Sequence, residues 1–454
     1  MICLRVMMAI ILLLGLCGAP GQPRAAERRQ LVVVTSFPDS VYLPFKRAFE
    51  AAYADVELRM INRKTSAAIS YIQDRASPRA DLFWASAPDA FEVLKTSGEL
   101  MKLGPGLRPD PAAIHGYPLH DPGGYYAGFA ISGYGLMWNR AYLAARGLPP
   151  PKNWDDLRRG LYRNHIGITA PSRSGTTHLI VEMLLQSKGW DEGWRALLEI
   201  GGNLATVTAR SYGVPDGVER GRFGIGLVID FFGLRSKAVG HPVEFRYPDG
   251  VMFLPANIAL VKGGRHAAEA RLFIAYLLSD AGQKLLFRTD ISRLPVKRAA
   301  YRRAPKGYPN PFTLPREASA PMFDIELSRQ RYHLVNTLFD QLITFRLHEL
   351  KEAWALVHRA EARLGSEDAP PQLKADLKRA RGLLETMPVT GPRSKNPAFA
   401  DLFTRHKPGF TVSEAQSRLE AAWKSAAIRR YDEAAQIAES VLERLDRAQE
   451  PPQP

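Results

Sequence analysis

From Leu31 onward, short β-branched or apolar runs alternate with amphipathic segments, and this alternation restricts the possible folds more than any other feature of the chain. Residues 31–35 read as a strand, 40–53 as a helix, 56–61 as a strand, 66–75 as a helix, and 81–85 as a third strand before a helix over 88–96. Strands that alternate with helices are joined by crossovers and pair in parallel, so the expected class is α/β, a largely parallel sheet covered by helices. In such sheets ligands settle beyond the carboxyl ends of the strands. The post-strand turns carrying Thr35-Ser36, Thr65-Ser66 and Ser86-Ala87 are therefore the first candidate ligand contacts from this half.

A second α/β unit starts after the glycine-studded run 128–138. Asn153-Trp154-Asp155 precedes an expected helix, residues 166–169 read as a strand, a helix opens at 174–177, and the strand 225–229 ends in Asp230. The extended run 251–261 reads as a return to the first unit. Two chain crossings between two lobes make a hinge with a cleft between them. The expected division is 1–26 signal peptide, 27–130 first lobe, 131–250 second lobe, 251–320 return to the first lobe, and 321–454 a C-terminal helical extension. In that extension Leu327, Leu334, Leu338, Leu342 and Phe345 recur at helical spacing within 324–364. Thr411 and Glu414 have the spacing of a capping box, and the segment around Trp423 and Tyr431–Ala435 resembles one tetratricopeptide hairpin.

The first 26 residues set the compartment. Arg5 is followed by an apolar run over 6–16 and then a Gly/Pro/Ala-rich stretch, the layout of a cleaved secretory signal. Cys17 follows Leu16, where lipid attachment wants a small residue, and Cys3 is the only other cysteine. The chain after processing thus offers no thiol for disulfides, thiolate metal sites or nucleophilic chemistry. Charge is unevenly placed: residues 27–320 carry 39 Lys and Arg against 27 Asp and Glu, whereas 321–454 carry 20 against 19. A basic excess confined to the two lobes suits an anionic ligand. Nucleic acid is not an expected partner, since no recognised binding motif accompanies the charge.

The sharpest local signal is Pro171–His178, which lies between a strand and the helical run 179–186. A helix N-terminus has unpaired amide donors and a partial positive charge, so it attracts phosphate or carboxylate. Ser172, Ser174, Thr176 and Thr177 add hydroxyls, Gly175 admits close backbone approach, and Arg173 can pair with an oxyanion. Further candidates from the second lobe are Arg210, Ser211 and Tyr212 before Gly213, and Asp230 as an acceptor for a hydroxyl or ammonium. Asn257 in the return run is a candidate hinge amide or ligand donor. No HExxH or G-x-S-x-G pattern is present and no paired acid and base stand out, so neither a catalytic nor a metal site is expected, and no cofactor.

With these residues in view, the first 300 or so residues resemble the periplasmic solute-binding proteins of bacterial ABC importers. The resemblance is closest to the branch holding ferric-ion, sugar-phosphate, aminoethylphosphonate and phosphoglycerate-transport binders. The matching stretches are Val33–Ser36, Asn62–Ile69, Asp81–Asp89, Pro171–His178 and Leu254–Asn257. The resemblance implies a two-lobed type II periplasmic binding fold, a non-enzymatic protein and an ABC permease at the inner membrane as partner. It also implies a small anionic ligand, with an organophosphate preferred. Ferric binders of this branch present adjacent tyrosines in the second lobe. Here Arg210-Ser211-Tyr212 stands near that place, and the adjacent pair Tyr125-Tyr126 falls before it, so iron is the alternative. The phosphoglycerate-transport members further imply a membrane sensor kinase as a partner, met through the C-terminal helices.

Overall fold

The computed structural model describes residues 28–74, 76–314, 322–365, 370–404 and 412–449. The expected signal segment, Cys3, Cys17 and Thr411 lie outside them. Two sheets form the lobes. In the first, β1 (Arg29–Thr35) lies between β2 (Val56–Asn62) and β3 (Leu82–Ala85), parallel to both. β3 pairs antiparallel with the strand Leu254–Val261, which in turn pairs with Tyr126–Ser132. The second sheet runs Leu204–Thr208, Ile166–Thr169, Ile225–Ile229, Tyr134–Asn139, Val243–Arg246, with its first three strands parallel.

Local sequence explains the elements. Helix α1 (Asp39–Ala52) buries Val41, Phe45 and Phe49, one face at four-residue spacing. Phe45 meets Trp84 edge-on at 5.6 Å, and Trp84 also touches Phe37 and Phe129, each at 5.2 Å between ring centres. Such pairs add about 0.5–1.5 kcal/mol each beyond burial. In the second sheet Ile225–Ile229 is buried throughout, as expected for a strand covered on both faces. The expected helix after Asp155 is only a short 3-10 turn, Asp155–Arg158.

The extension folds back on both lobes. Its first helix, α2 (Ile325–Phe339), is capped by the Asp324 carboxylate, which accepts from the Leu327 amide at 2.9 Å. A π turn, Asp340–Thr344, separates it from α3 (Leu347–Leu364). The interruption corrects the expected continuous face. Leu334, Leu338 and Leu342 are buried, but Phe345 is half exposed, because the wider turn, closed by Phe345 N–H to Asp340 C=O, advances the register. The expected terminal hairpin is instead one helix, α4 (Glu414–Gln449), whose Ser413 hydroxyl accepts from the Gln416 amide. Tyr431 on α4 donates to the Leu342 carbonyl at 3.0 Å, tying the last helix to the π turn.

Two junctions fasten α2 to the lobes. Arg331 forks onto Glu182 of the second-lobe helix Gly175–Lys188 at 2.9 and 2.7 Å, with both side chains buried. Burial alone would raise the Glu182 pKa, but Arg331 and His178 outweigh it and hold it low. At the second junction His178, fully buried, meets Asn336 at 2.8 Å, Ser328 at 3.2 Å and Asp89 at 3.1 Å. Ser328 also donates to Asp89 at 3.1 Å. Asp89 belongs to the first-lobe helix Pro88–Thr96, so this cluster joins both lobes and the extension.

Removing one member of a buried ion pair leaves an uncompensated charge, which costs about 3–5 kcal/mol. Arg331→Met should lower unfolding stability by that amount in urea denaturation, and adding Glu182→Leu should recover most of the loss. A single-variant cost below about 1 kcal/mol would show that the pair does not hold the extension in place.

Candidate functional site

Six chain segments meet in a cleft between the two sheets, and each follows the carboxyl end of a parallel strand. Ser36-Phe37-Pro38 follows β1, Lys64-Thr65 follows β2 and Ser86-Ala87 follows β3. From the second sheet come Arg173, Ser174 and Thr176 after Ile166–Thr169, Arg210-Ser211 after Leu204–Thr208, and Phe231-Phe232 after Ile225–Ile229. Parallel strands end together on one edge, so their turns converge without any being near another in sequence.

The walls touch. Only about 20 Å³ between them admits a water molecule, and three hydrogen bonds cross the cleft. Ser66 donates to the Ser172 carbonyl at 2.5 Å, the Gly175 amide donates to the Thr65 hydroxyl at 3.2 Å, and Arg210 donates to Asn62 at 2.5 Å. Gly175 is required at this contact: a Cβ there would stand 2.5 Å from the Ala87 methyl and 3.1 Å from the Thr65 side chain. Ser174 caps the helix it precedes, its hydroxyl accepting from the Thr177 amide at 3.2 Å.

The lining has one sign of charge. Lys64, Arg173 and Arg210 contribute three cations, and none of the residues that line the cleft is a carboxylate, histidine or tyrosine. Hydroxyls come from Ser36, Thr65, Ser86, Ser174, Thr176 and Ser211. Behind this wall Asp340 of the π turn lies beside Ser172 and Arg173. Burial pushes its pKa up, against a hydrogen bond from Ser172 and the attraction of Arg173.

The other sequence candidates are committed elsewhere. The Thr35 hydroxyl donates to the Trp84 carbonyl at 2.7 Å and accepts from the Phe37 amide, so it shapes the turn below the cleft. Ser172 offers its carbonyl to Ser66, and Thr177 is buried within the helix. Tyr212 is exposed, with the Arg210 guanidinium 5.4 Å over its ring. Asp230 is fully buried and accepts from the Gly133 and Phe231 amides and the Tyr247 hydroxyl. Burial raises its pKa to about 7, although these donors and Arg293 oppose the shift. Asn257 is buried opposite Ala85, and neither amide atom has a partner among the described residues. Of the tyrosine pair, Tyr126 is buried and donates to Glu92 at 2.6 Å, away from the cleft.

Sequence reasoning missed the aromatic floor, Phe37, Phe231 and Phe232, and the buried Arg293 beneath it. Arg293 donates to Ser86 at 3.2 Å and lies 4.4 Å from the Phe37 ring centre and 4.0 Å from that of Phe231. A cation standing alone among Ile291, Leu294 and Val296 was the available signal. A larger groove of about 900 Å³ lies between the second lobe and α3, lined by Arg158, Glu199, His358 and Arg381. Glu199 in that lining is already paired, receiving Arg158 at 2.6 Å, Arg381 at 2.9 Å and His358 at 3.0 Å. Burial works against the Glu199 charge, but these partners bring its pKa down to about 2. That groove is an ion-paired junction, and the strand-end cleft is the better candidate site.

Comparison with known proteins agrees with this geometry. Residues 106–313 match the family model described as bacterial extracellular solute-binding protein. The phosphoglycerate transport regulatory protein PgtC of Salmonella typhimurium is 35% identical over 382 residues, 83% of this chain and 90% of its own. Among solved structures, the periplasmic binding protein AfuA from Actinobacillus pleuropneumoniae, with fructose-6-phosphate bound, superposes with a TM-score of 0.59 at 20% identity. It covers 68% of this chain and 98% of its own. The apo ferric ion-binding protein A of Pasteurella haemolytica gives 0.54 at 13% identity, over 69% of this chain and 97% of its own. These two establish the two-lobed type II architecture, which the C-terminal helices extend. By its similarity to PgtC over most of both chains and by its match to the family model, this chain belongs to the bacterial extracellular solute-binding proteins.

Proposed function

We propose that the protein captures a small organophosphate in the periplasm by closing its two lobes, and catalyses no reaction. The observation that carries this reading is the cleft lining: three cations and six hydroxyl side chains around a capped helix mouth, with no carboxylate among them. Phosphate dianions need many donors when removed from water, because a buried charge without partners is costly. Arg173 and Arg210 supply charge-assisted donors, Ser174 and Thr176 supply hydroxyls, and the helix beginning at Gly175 supplies its dipole. Thr65 now occupies the Gly175 amide, so an arriving oxyanion would take over that donor while Lys64 and Ser86 approach from the first lobe. The lining offers neither phenolate nor carboxylate for ferric ion, which weighs against the iron alternative.

Closure is favoured only by contacts present in the closed form and absent from the open one. Ser66 to Ser172, Gly175 to Thr65 and Arg210 to Asn62 are such contacts. A ligand bridging the same walls adds to them. Delivery to an ABC permease is the role that family membership supports. A sensing role is supported by a separate observation: α2 touches Asp89 of one lobe and His178 and Glu182 of the other, so lobe movement must shift it. The relative's description as a regulatory protein points the same way.

Arg173→Ala combined with Thr176→Val should weaken binding of an organophosphate such as 3-phosphoglycerate at least tenfold, about 1.4 kcal/mol. Isothermal titration calorimetry checks this, and unchanged affinity would remove the helix mouth from the site. Gly175→Ala tests closure separately. Its methyl must push Ala87 away, so affinity should fall by at least about tenfold. Small-angle scattering with saturating ligand should then show a larger radius of gyration than for the unaltered protein. An equally compact variant would mean that the lobes need not meet at Gly175.

A further inference from the structure

Arg293 has surroundings unlike those of an ordinary structural arginine. It is fully buried, its Nη2 reaches Ser86, and its Nε and Nη1 have no hydrogen-bond partner among the described residues. Aromatic rings from both lobes flank the guanidinium, Phe37 from the first and Phe231 from the second, and both rings also line the cleft. Asp230 is the nearby acid that acts on it, but both oxygens of that carboxylate already accept from Gly133, Phe231 and Tyr247. Burial lowers the Arg293 pKa to about 10, so the side chain still carries its proton at neutral pH.

A buried cation with two donors that have no acceptor among the described residues is costly unless something completes it. Ser86 shows where completion can come from, since it belongs both to the cleft lining and to the Arg293 contact. The guanidinium therefore lies one side chain below the cleft, on the first-lobe side. The cations Arg173 and Arg210 stand on the opposite wall. Phe37 comes from the first lobe and Phe231 from the second, so the guanidinium lies where the two lobes meet.

We propose that Arg293 is the residue by which this cleft selects organophosphates carrying a second anionic group, its Nη1 and Nη2 receiving a carboxylate that takes the place of Ser86 while Arg173 and Arg210 hold the phosphate. A planar fork suits a carboxylate in a way that a lysine would not. This inference rests on the organophosphate reading and adds a criterion of choice within it: phosphorylated acids over phosphorylated alcohols and sugars.

Calorimetry with 3-phosphoglycerate and with glycerol 3-phosphate, which lacks the carboxylate, tests it. The unaltered full-length protein should bind the phosphorylated acid at least tenfold more tightly. Arg293→Gln should erase that preference, weakening 3-phosphoglycerate at least tenfold while changing glycerol 3-phosphate less than threefold. Arg293→Lys, which keeps the charge and loses the fork, should retain part of the preference. Equal loss for both compounds would overturn the inference and make Arg293 a cation that serves only to join the lobes. So would an unaltered protein that binds both equally, a result that needs no variant to fold. If the unaltered protein binds neither compound, the organophosphate reading fails as well, which separates that failure from the loss of the Arg293 role alone.

Discussion

The contact on which the rest of this molecule turns is the buried cluster of Asp89, His178 and Ser328. Each residue comes from a different unit: the first lobe, the second lobe and the C-terminal extension. Burial lowers the affinity of His178 for a proton, but Asp89, with help from Glu182, reverses this and raises the pKa. Asp89 thus favours the protonated form of His178 where water is excluded. Asp89 begins its helix two residues after Ala87, and His178 stands two residues after Thr176, so the cluster lies directly behind the two walls of the cleft.

That placement ties the extension to both lobes. Behind the cleft walls lies a face carrying Asp89, His178 and Glu182. Here α2 fills that face, with Ser328 on Asp89, Asn336 on His178 and Arg331 on Glu182. The π turn that follows brings Asp340 against Ser172 and Arg173. Arg173 of the candidate cleft and Asp89 behind the first-lobe wall thus both meet the same continuous segment, 325–344. Coupling between sites needs an element that both of them bias, and this segment is the element that touches both.

The lobes were legible in the sequence because each rests on a local pattern. Period-two runs, helical faces and glycine-bearing turns recur in order, and the strands at 166–169 and 225–229 coincide with those observed. The strand-end rule located much of the cleft for the same reason: Ser36, Thr65, Ser86, Arg173, Ser174, Thr176, Arg210 and Ser211 all line it. What remained hidden depends on contacts between distant segments. Thr35 has the right location but spends its hydroxyl on Trp84, and Asp230 accepts from two amides and Tyr247. His178 looks like a helix-opening residue and is instead a junction buried beneath Tyr332, 4.2 Å between ring centres. Phe345 left its predicted face because a single π turn shifts register, and no spacing rule reports such an insertion.

Arg293 shows why the interior of the cleft is harder to read than its rim. Rim residues follow strands and announce themselves by turn chemistry, whereas Arg293 arrives from the short return strand Leu294–Pro295, one residue before it begins. Its apolar neighbours in sequence predict burial, and burial predicts an acid partner, since an isolated charge is not stable in a core. The nearby acid, Asp230, has a pKa raised to about 7 and its oxygens already occupied, so it compensates the arginine only in part. The imbalance is therefore a property of the cleft floor as a whole. Cations stand from Lys64 and Arg173 at the walls down to Arg293 beneath, so positive charge runs through the depth of the cleft.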